Sequence, residues 1–144
     1  MEARKPRHHS MPMTCKDKLD RVFSGEIRQT IRRGERYRVG DTLTIFEWTG
    51  KPYYSKWGRR LDEKVKVVFP IMVKDSGIGV FNDGVVKNGL VNLSVVPWSS
   101  DYIRTLAWMD GVKPSSGTRL KEVLMEMHPA LDMKNGEIFQ VVRW

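Results

Sequence analysis

The chain has one cysteine, Cys15, and three histidines, so an internal disulfide is excluded and a His/Cys metal centre has little to draw on. No stretch approaches the ~18 apolar residues of a membrane-spanning helix, and the opening MEARKPRHHS lacks the apolar stretch of a secretory leader. The expectation is a soluble, intracellular, cytoplasmic protein of a reducing compartment, with no membrane partner. Acidic residues are scarce where basic ones are plentiful. Residues 1–66 carry 17 Lys and Arg against 9 Asp and Glu, whereas residues 67–144 carry 8 of each, so the whole net charge of +8 sits in the first half. A basic half on a neutral scaffold suits a polyanion, because each phosphate contact releases condensed counterions. The plainer alternative is basicity that serves solubility or contact with an acidic membrane.

At 144 residues and 40% hydrophobic, the chain can bury one core without covalent staples. Five Trp, four Tyr and five Phe are more than such a core absorbs, so some large rings are expected at the surface. Residues 1–10 read as a basic disordered tail, and residues 11–144 as a single domain. His8 and His9 have no ligand-spaced companions and belong with the tail, so neither a metal nor a cofactor is expected.

A short strand is expected at Met11 to Met13. In TCKDKLDRVFSG, Thr14 and Asp17 form a T-x-x-D capping box, Leu19, Val22 and Phe23 an apolar face, and Gly25 a stop. IRQTI is then a strand, with Arg28, Thr30 and Arg32 on one side and Ile27, Gln29 and Ile31 on the other. A turn-rich RRGERYRVGD precedes a strand at 42–48, with Leu43, Ile45 and Glu47 on one side. A loop over 49–63 leads to a strand at 64–73, whose Pro70 marks an edge or bulge. Short strands follow at Ile78 to Phe81 and Leu90 to Val96, set off by the turn signals DSG, NDG and NG. Ser99 or Ser100 caps a helix that turns Ile103, Leu106 and Ala107 inward and ends at Gly111. A second helix buries Leu120, Val123 and Leu124 and stops before Pro129, and EIFQVVRW closes the chain as a strand. The order predicts an α+β fold in which the last strand returns to the sheet.

Taken together, the Gly25-terminated helix, the basic Thr30 strand, Val39-Gly40-Asp41-Thr42-Leu43, Ala107-Trp108-Met109-Asp110-Gly111, the helix Leu120 to Met127 with Pro129 after it, and the strand closing on Trp144 resemble the ASCH domain. This is the activating signal cointegrator homology family of the PUA-like superfamily, and the resemblance spans roughly residues 12 to 144. It implies a small β-barrel of about five to six strands flanked by helices, with a cleft for RNA or modified nucleosides. Relatives that hydrolyse N4-acylcytidines carry G-x-K-T-x-T-x-R after the helix. Here Gly25 to Arg32 places Thr30 on the second threonine and Arg32 on the arginine, with Asp110 matching the acid. The lysine position holds Ile27.

Amide hydrolysis needs a base for the nucleophile and an acid for the leaving amine. Isoleucine supplies neither, and Arg28 stays protonated, so it can polarise a carbonyl or hold an anion without acting as a base. If catalysis occurs at all, Thr30, Asp110 and Arg28 are its candidates. Otherwise the same groups suit recognition. Arg28, Arg32, Arg33, Arg36 and Arg38 offer planar forks for phosphates or bases. The plainer reading of each is a rim arginine paired with Glu26, Glu35 or Asp41.

The stretch from Lys51 to Arg60 mixes cations and rings without an acid, a composition suited to single-stranded nucleic acid, in which rings stack on bases while cations meet phosphates. Lys51, Tyr53, Tyr54, Lys56, Trp57, Arg59 and Arg60 are its candidates, read as a mobile flap. The alternative is a cap of rings over a barrel end. Trp108, beside Asp110, is a candidate wall for a nucleobase; Trp98 and Trp144 are assigned to structure. Three functions therefore stand: a module binding RNA or a modified nucleotide, an amidase or ribonuclease with Thr30 and Asp110 in its site, and an interaction module whose basic face meets an acidic protein.

Overall fold

The computed structural model describes residues 4–13, 16–81 and 93–144. Among them the chain is α+β, with eight strands in two sheets and three helices. The smaller sheet has the order β1 (His8–Pro12), β3 (Thr42–Trp48), β4 (Trp57–Lys64). β1 runs parallel to β3, and β3 and β4 form a hairpin whose register shifts between Phe46 and Trp48. The larger sheet is antiparallel throughout, in the order β2 (Gln29–Arg33), β8 (Glu137–Arg143), β5 (Val67–Lys74), β6 (Gly77–Phe81), β7 (Leu93–Pro97). Three helices complete the chain: α1 (Lys16–Phe23), α2 (Asp101–Met109) and α3 (Gly117–Met127).

The returning last strand is β8, which lies between β2 and β5 and is buried on both faces. Phe139 and Val141 face a core built from β5, β6, α2 and α3; Val142 and Trp144 face a second core with Met11, Val22, Ile27, Leu43 and Ile45. Each such side chain contributes about 1.5–3 kcal/mol by leaving water, so β8 joins the two cores. The signals for α2 and α3 agree with the structure, except that Val123 is only partly buried. Ser100 is the residue that caps α2, its Oγ accepting from the Ile103 N–H at 3.3 Å, and Ile103, Leu106 and Ala107 are buried. Ser116 caps α3 in the same way, and His128 ends it before Pro129.

Three expectations change. From His8 onward the tail read as disordered over 1–10 is β1, because its backbone pairs with β3 and its His9 side chain bonds to a buried Asp41. The loop read over 49–63 ends at Lys56: Trp57 and Arg60 stand on β4 opposite Trp48 and Phe46, and Arg59 lies at the register shift between them. Strand 64–73 begins later, at Val67, since Val65 serves a turn, bonding to Asp41 O. Pro70 lies where β5 is flanked by β8 but not yet by β6, whose pairing begins at Ile71, so its missing N–H costs no ladder bond there. The Thr14 cap, the first residues of the expected Leu90 strand and the NDG and NG turns lie outside the described residues. Among the described residues no helix is long and apolar enough to cross a membrane.

Candidate functional site

α1 and the end of α2 meet at β2. Lys18 lies one turn before Val22 on α1, so the face that buries Val22 also carries Lys18 inward. Asp110 follows the last residue of α2, where its N–H bonds to Leu106 O. Gly111 then takes φ +79°, with Ile27 packed so closely that a Cβ on Gly111 would collide with it. The turn fixes the carboxylate beside α1. Lys18 Nζ donates to Asp110 Oδ2 at 3.2 Å, and the two side chains keep only 10% and 12% of their exposure.

A cavity of about 210 Å³ opens beside this pair. Thr30 and Arg32 from β2, Lys18, Asp110, Lys113 and Arg119 form its polar part; Leu120, Val123, Leu124 and Met127 of α3 form an apolar wall. Thr30 and Asp110, the two positions on which the sequence reading turned, thus share one cavity. Burial pushes the Asp110 carboxyl upward, and the charge and hydrogen bond of Lys18, the Gln29 side chain and the charge of Arg32 oppose but do not cancel that push. The end of a helix is also the wrong pole for a carboxylate, which makes the two cations more necessary. Burial likewise lowers the pKa of Arg32. Its Nη2 donates to Pro12 O at 3.0 Å, but its Nε and Asp110 Oδ1 are buried with no hydrogen-bond partner among the described residues. A donor and an acceptor left unmet beside a cavity favour a ligand that presents the converse pair.

The expected arginine cluster is dispersed. Arg33 pairs with Glu137. Arg28 does not share the face of Thr30 and Arg32, since β2 starts only at Gln29; its Nε bonds to Gly25 O, and it lines a second cavity with Gln29 and Trp108. Arg36 lies over the buried Tyr37 ring, and Arg38 is exposed, with its backbone N–H on Asp41. Of the paired alternatives, Glu26 takes Arg21 and Asp41 takes Arg4.

At the β3–β4 hairpin, Phe46 and Trp57 stack with centroids 3.8 Å apart, and Trp48 lies against Phe46 and Tyr53. Tyr53 and Tyr54 are about four-fifths exposed, Lys51 covers Tyr54, and Arg60 approaches Trp57. Lys56 is exposed at the turn. Arg59 is diverted: Glu47 and Asp20 hold it, and it covers Phe23. Rings and cations therefore form a hairpin surface, and only 49–56 is loop. Trp108 is 64% exposed.

Lys18 is the residue the sequence reading missed. The available signal was its i, i+4 relation to Val22, which places a lysine on the buried side of a short amphipathic helix. Ile27, by contrast, is core, 2% exposed. His8 bonds to Thr42 and Thr44, and His9 to Asp41; among the described residues no group of His, Cys, Asp or Glu is placed to hold a metal. Comparison with protein-family models, curated proteins and solved structures gave no match.

Proposed function

We propose that this chain is a nucleic-acid-binding module of the ASCH type, cytoplasmic, its sheets forming a PUA-like barrel, and that it takes a base of RNA or a modified nucleotide in the cavity between β2, α1 and α3. The observation that carries this reading is the buried Lys18–Asp110 pair with Arg32 around that cavity, leaving Asp110 Oδ1 and Arg32 Nε unmet. A pyrimidine edge offers an amine or imide donor beside a carbonyl acceptor, the complement of that carboxylate and guanidinium. The apolar α3 wall suits the face of a ring, while Lys51, Lys56, Arg60, Tyr53 and Tyr54 suit the strand that bears it. Titration of short single-stranded RNA and of acetylated and plain cytidine by fluorescence anisotropy and calorimetry tests the reading. Binding at low salt that weakens about tenfold in Asp110→Asn is expected; absence of all binding at low salt would remove it.

Lys18 specifically favours a second reading, hydrolysis. It brings an amine into the cavity of Thr30 and Asp110, the group that Ile27 does not provide. With the Lys18 proton passed to Asp110, its amine would accept the Thr30 hydroxyl proton as Oγ attacks an amide carbonyl. The amine would leave with that proton, and water would then cleave the Thr30 ester. Release of acetate from N4-acetylcytidine, abolished in Thr30→Val and Lys18→Met, would establish this; a native protein that binds without turnover would exclude it.

A further inference from the structure

A second cavity, of about 240 Å³, is lined in part by sequence neighbours of residues that line the first. Successive residues face one and then the other: Gln29 and Met109 line the second, Thr30 and Asp110 the first. Its charged lining is Arg21, Arg28 and Arg143 with one acid, Glu26, which bonds Arg21 Nε at 3.2 Å. Among the described residues Arg143 has no carboxylate partner. Its Nε donates to Gln29 Oε1 at 2.9 Å and its Nη2 faces the weak acceptor Met109 Sδ at 3.4 Å. Two further donors, Arg21 Nη1 and Trp144 Nε1, are buried with no hydrogen-bond partner among the described residues. Buried donors without acceptors, among guanidinium groups in excess of carboxylates, are satisfied by an oxyanion. The exposed indole of Trp108 stands on the same lining.

We propose that this second cavity holds a phosphate group, with Trp108 stacking on an attached base, so that the two cavities take neighbouring parts of one nucleotide chain. The link between the two cavities rests on the nucleotide reading of the first; the phosphate site itself rests on the donors of Arg21, Arg143 and Trp144. Arg28 completes it from the surface, its Nε held by Gly25 O at 3.2 Å and its terminal nitrogens available to an anion. Trp144, assigned to structure from the sequence, then has a reason for its unpaired N–H.

Calorimetric titration of the whole chain with cytidine, cytidine 3′- and 5′-monophosphate and inorganic phosphate tests this. At least one monophosphate is expected to bind about tenfold more tightly than cytidine, an advantage erased in Arg28→Gln. Trp108→Ala, an exposed substitution, should weaken the monophosphates severalfold and leave inorganic phosphate unchanged. If inorganic phosphate binds in an Arg28-dependent way but neither cytidine nor a nucleotide does, the phosphate site stands and the nucleotide reading fails. Monophosphates no tighter than cytidine, together with no affinity for inorganic phosphate, overturn the phosphate site and leave the first cavity's reading intact. No affinity for any of the four probes overturns both.

Discussion

Lys18 and Asp110 are 92 residues apart in the chain, and their side chains meet at 3.2 Å beneath the wall formed by α3. Breaking one partner leaves a buried charge uncompensated, at a cost of about 3 kcal/mol, whereas removing both restores much of the loss. Lys18→Met and Asp110→Asn should therefore each lower the urea midpoint markedly. The double variant Lys18→Met/Asp110→Asn should be more stable than the sum of the singles allows. Additive losses in that cycle would mean that the pair is not coupled.

Ile27 occupies the lysine position of the resembled amidase motif, yet it belongs to the interior beside Val22, Leu43 and Trp144 and abuts Gly111. Restoring the motif by Ile27→Lys should thus fail to create activity and should destabilise by about 3 to 4 kcal/mol, since an ammonium would replace a buried methyl group. Thermal melting and acetylcytidine turnover of that variant check both halves of the expectation. Gly111→Ala should also destabilise, because it combines a positive φ with a collision against Ile27.

Asp41 fixes β1 to the domain. Burial alone would raise its carboxyl, but the Arg7 N–H, His9, Arg4 and the Arg38 N–H all bond to it and hold it well below the usual carboxylate range. Its unfolded form thus takes up a proton first as pH falls. The resulting stability is full above about pH 4 and is lost as pH drops below the unfolded value. Asp41→Asn should cost about 2 kcal/mol at neutral pH and flatten the acid limb of the stability profile. A variant with an unchanged acid limb in denaturant titrations at pH 3 to 6 would contradict this.

How much of this was legible in the sequence depended on whether a signal was local. Ser100, Ser116, Gly25 and Gly111 act within a turn of their own helices, so both C-terminal helices and their buried faces followed from spacing. The DSG signal likewise marks the tight link in which Lys74 pairs with Gly77. The strand expected at Met11 to Met13 overlaps only the end of β1; its start, His8 to Ser10, was hidden because it has no apolar side chain and its partners, Asp41 and β3, lie more than 30 residues away. β4 was hidden for a different reason: WGRRLDEK is charged, since it forms an edge of the smaller sheet, where charged side chains are favoured. In the site, Thr30, Arg32 and Asp110 were found through the resemblance. Lys18 was not, because its value depends on a carboxylate delivered from the other half of the chain.

The hairpin separates cations that are free to meet phosphate from one that is not. Glu47 and Asp20 already neutralise Arg59, whereas among the described residues Lys51, Lys56 and Arg60 have no carboxylate within ion-pair distance. If RNA lies along this surface, Arg60→Ala, Lys51→Ala and Lys56→Ala should each weaken binding, and each should reduce the slope of log affinity against log salt by about 0.7. Arg59→Ala should leave that slope nearly unchanged, because the charge it removes is matched by two acids that its loss would release. Tyr53→Ala and Tyr54→Ala should weaken binding by about 1 kcal/mol or more with no change of slope, as expected for rings that stack rather than neutralise. Anisotropy titrations at four salt concentrations distinguish these classes. Equal slopes for Arg59→Ala and Arg60→Ala variants that both bind more weakly than the native protein would show that the strand follows another face.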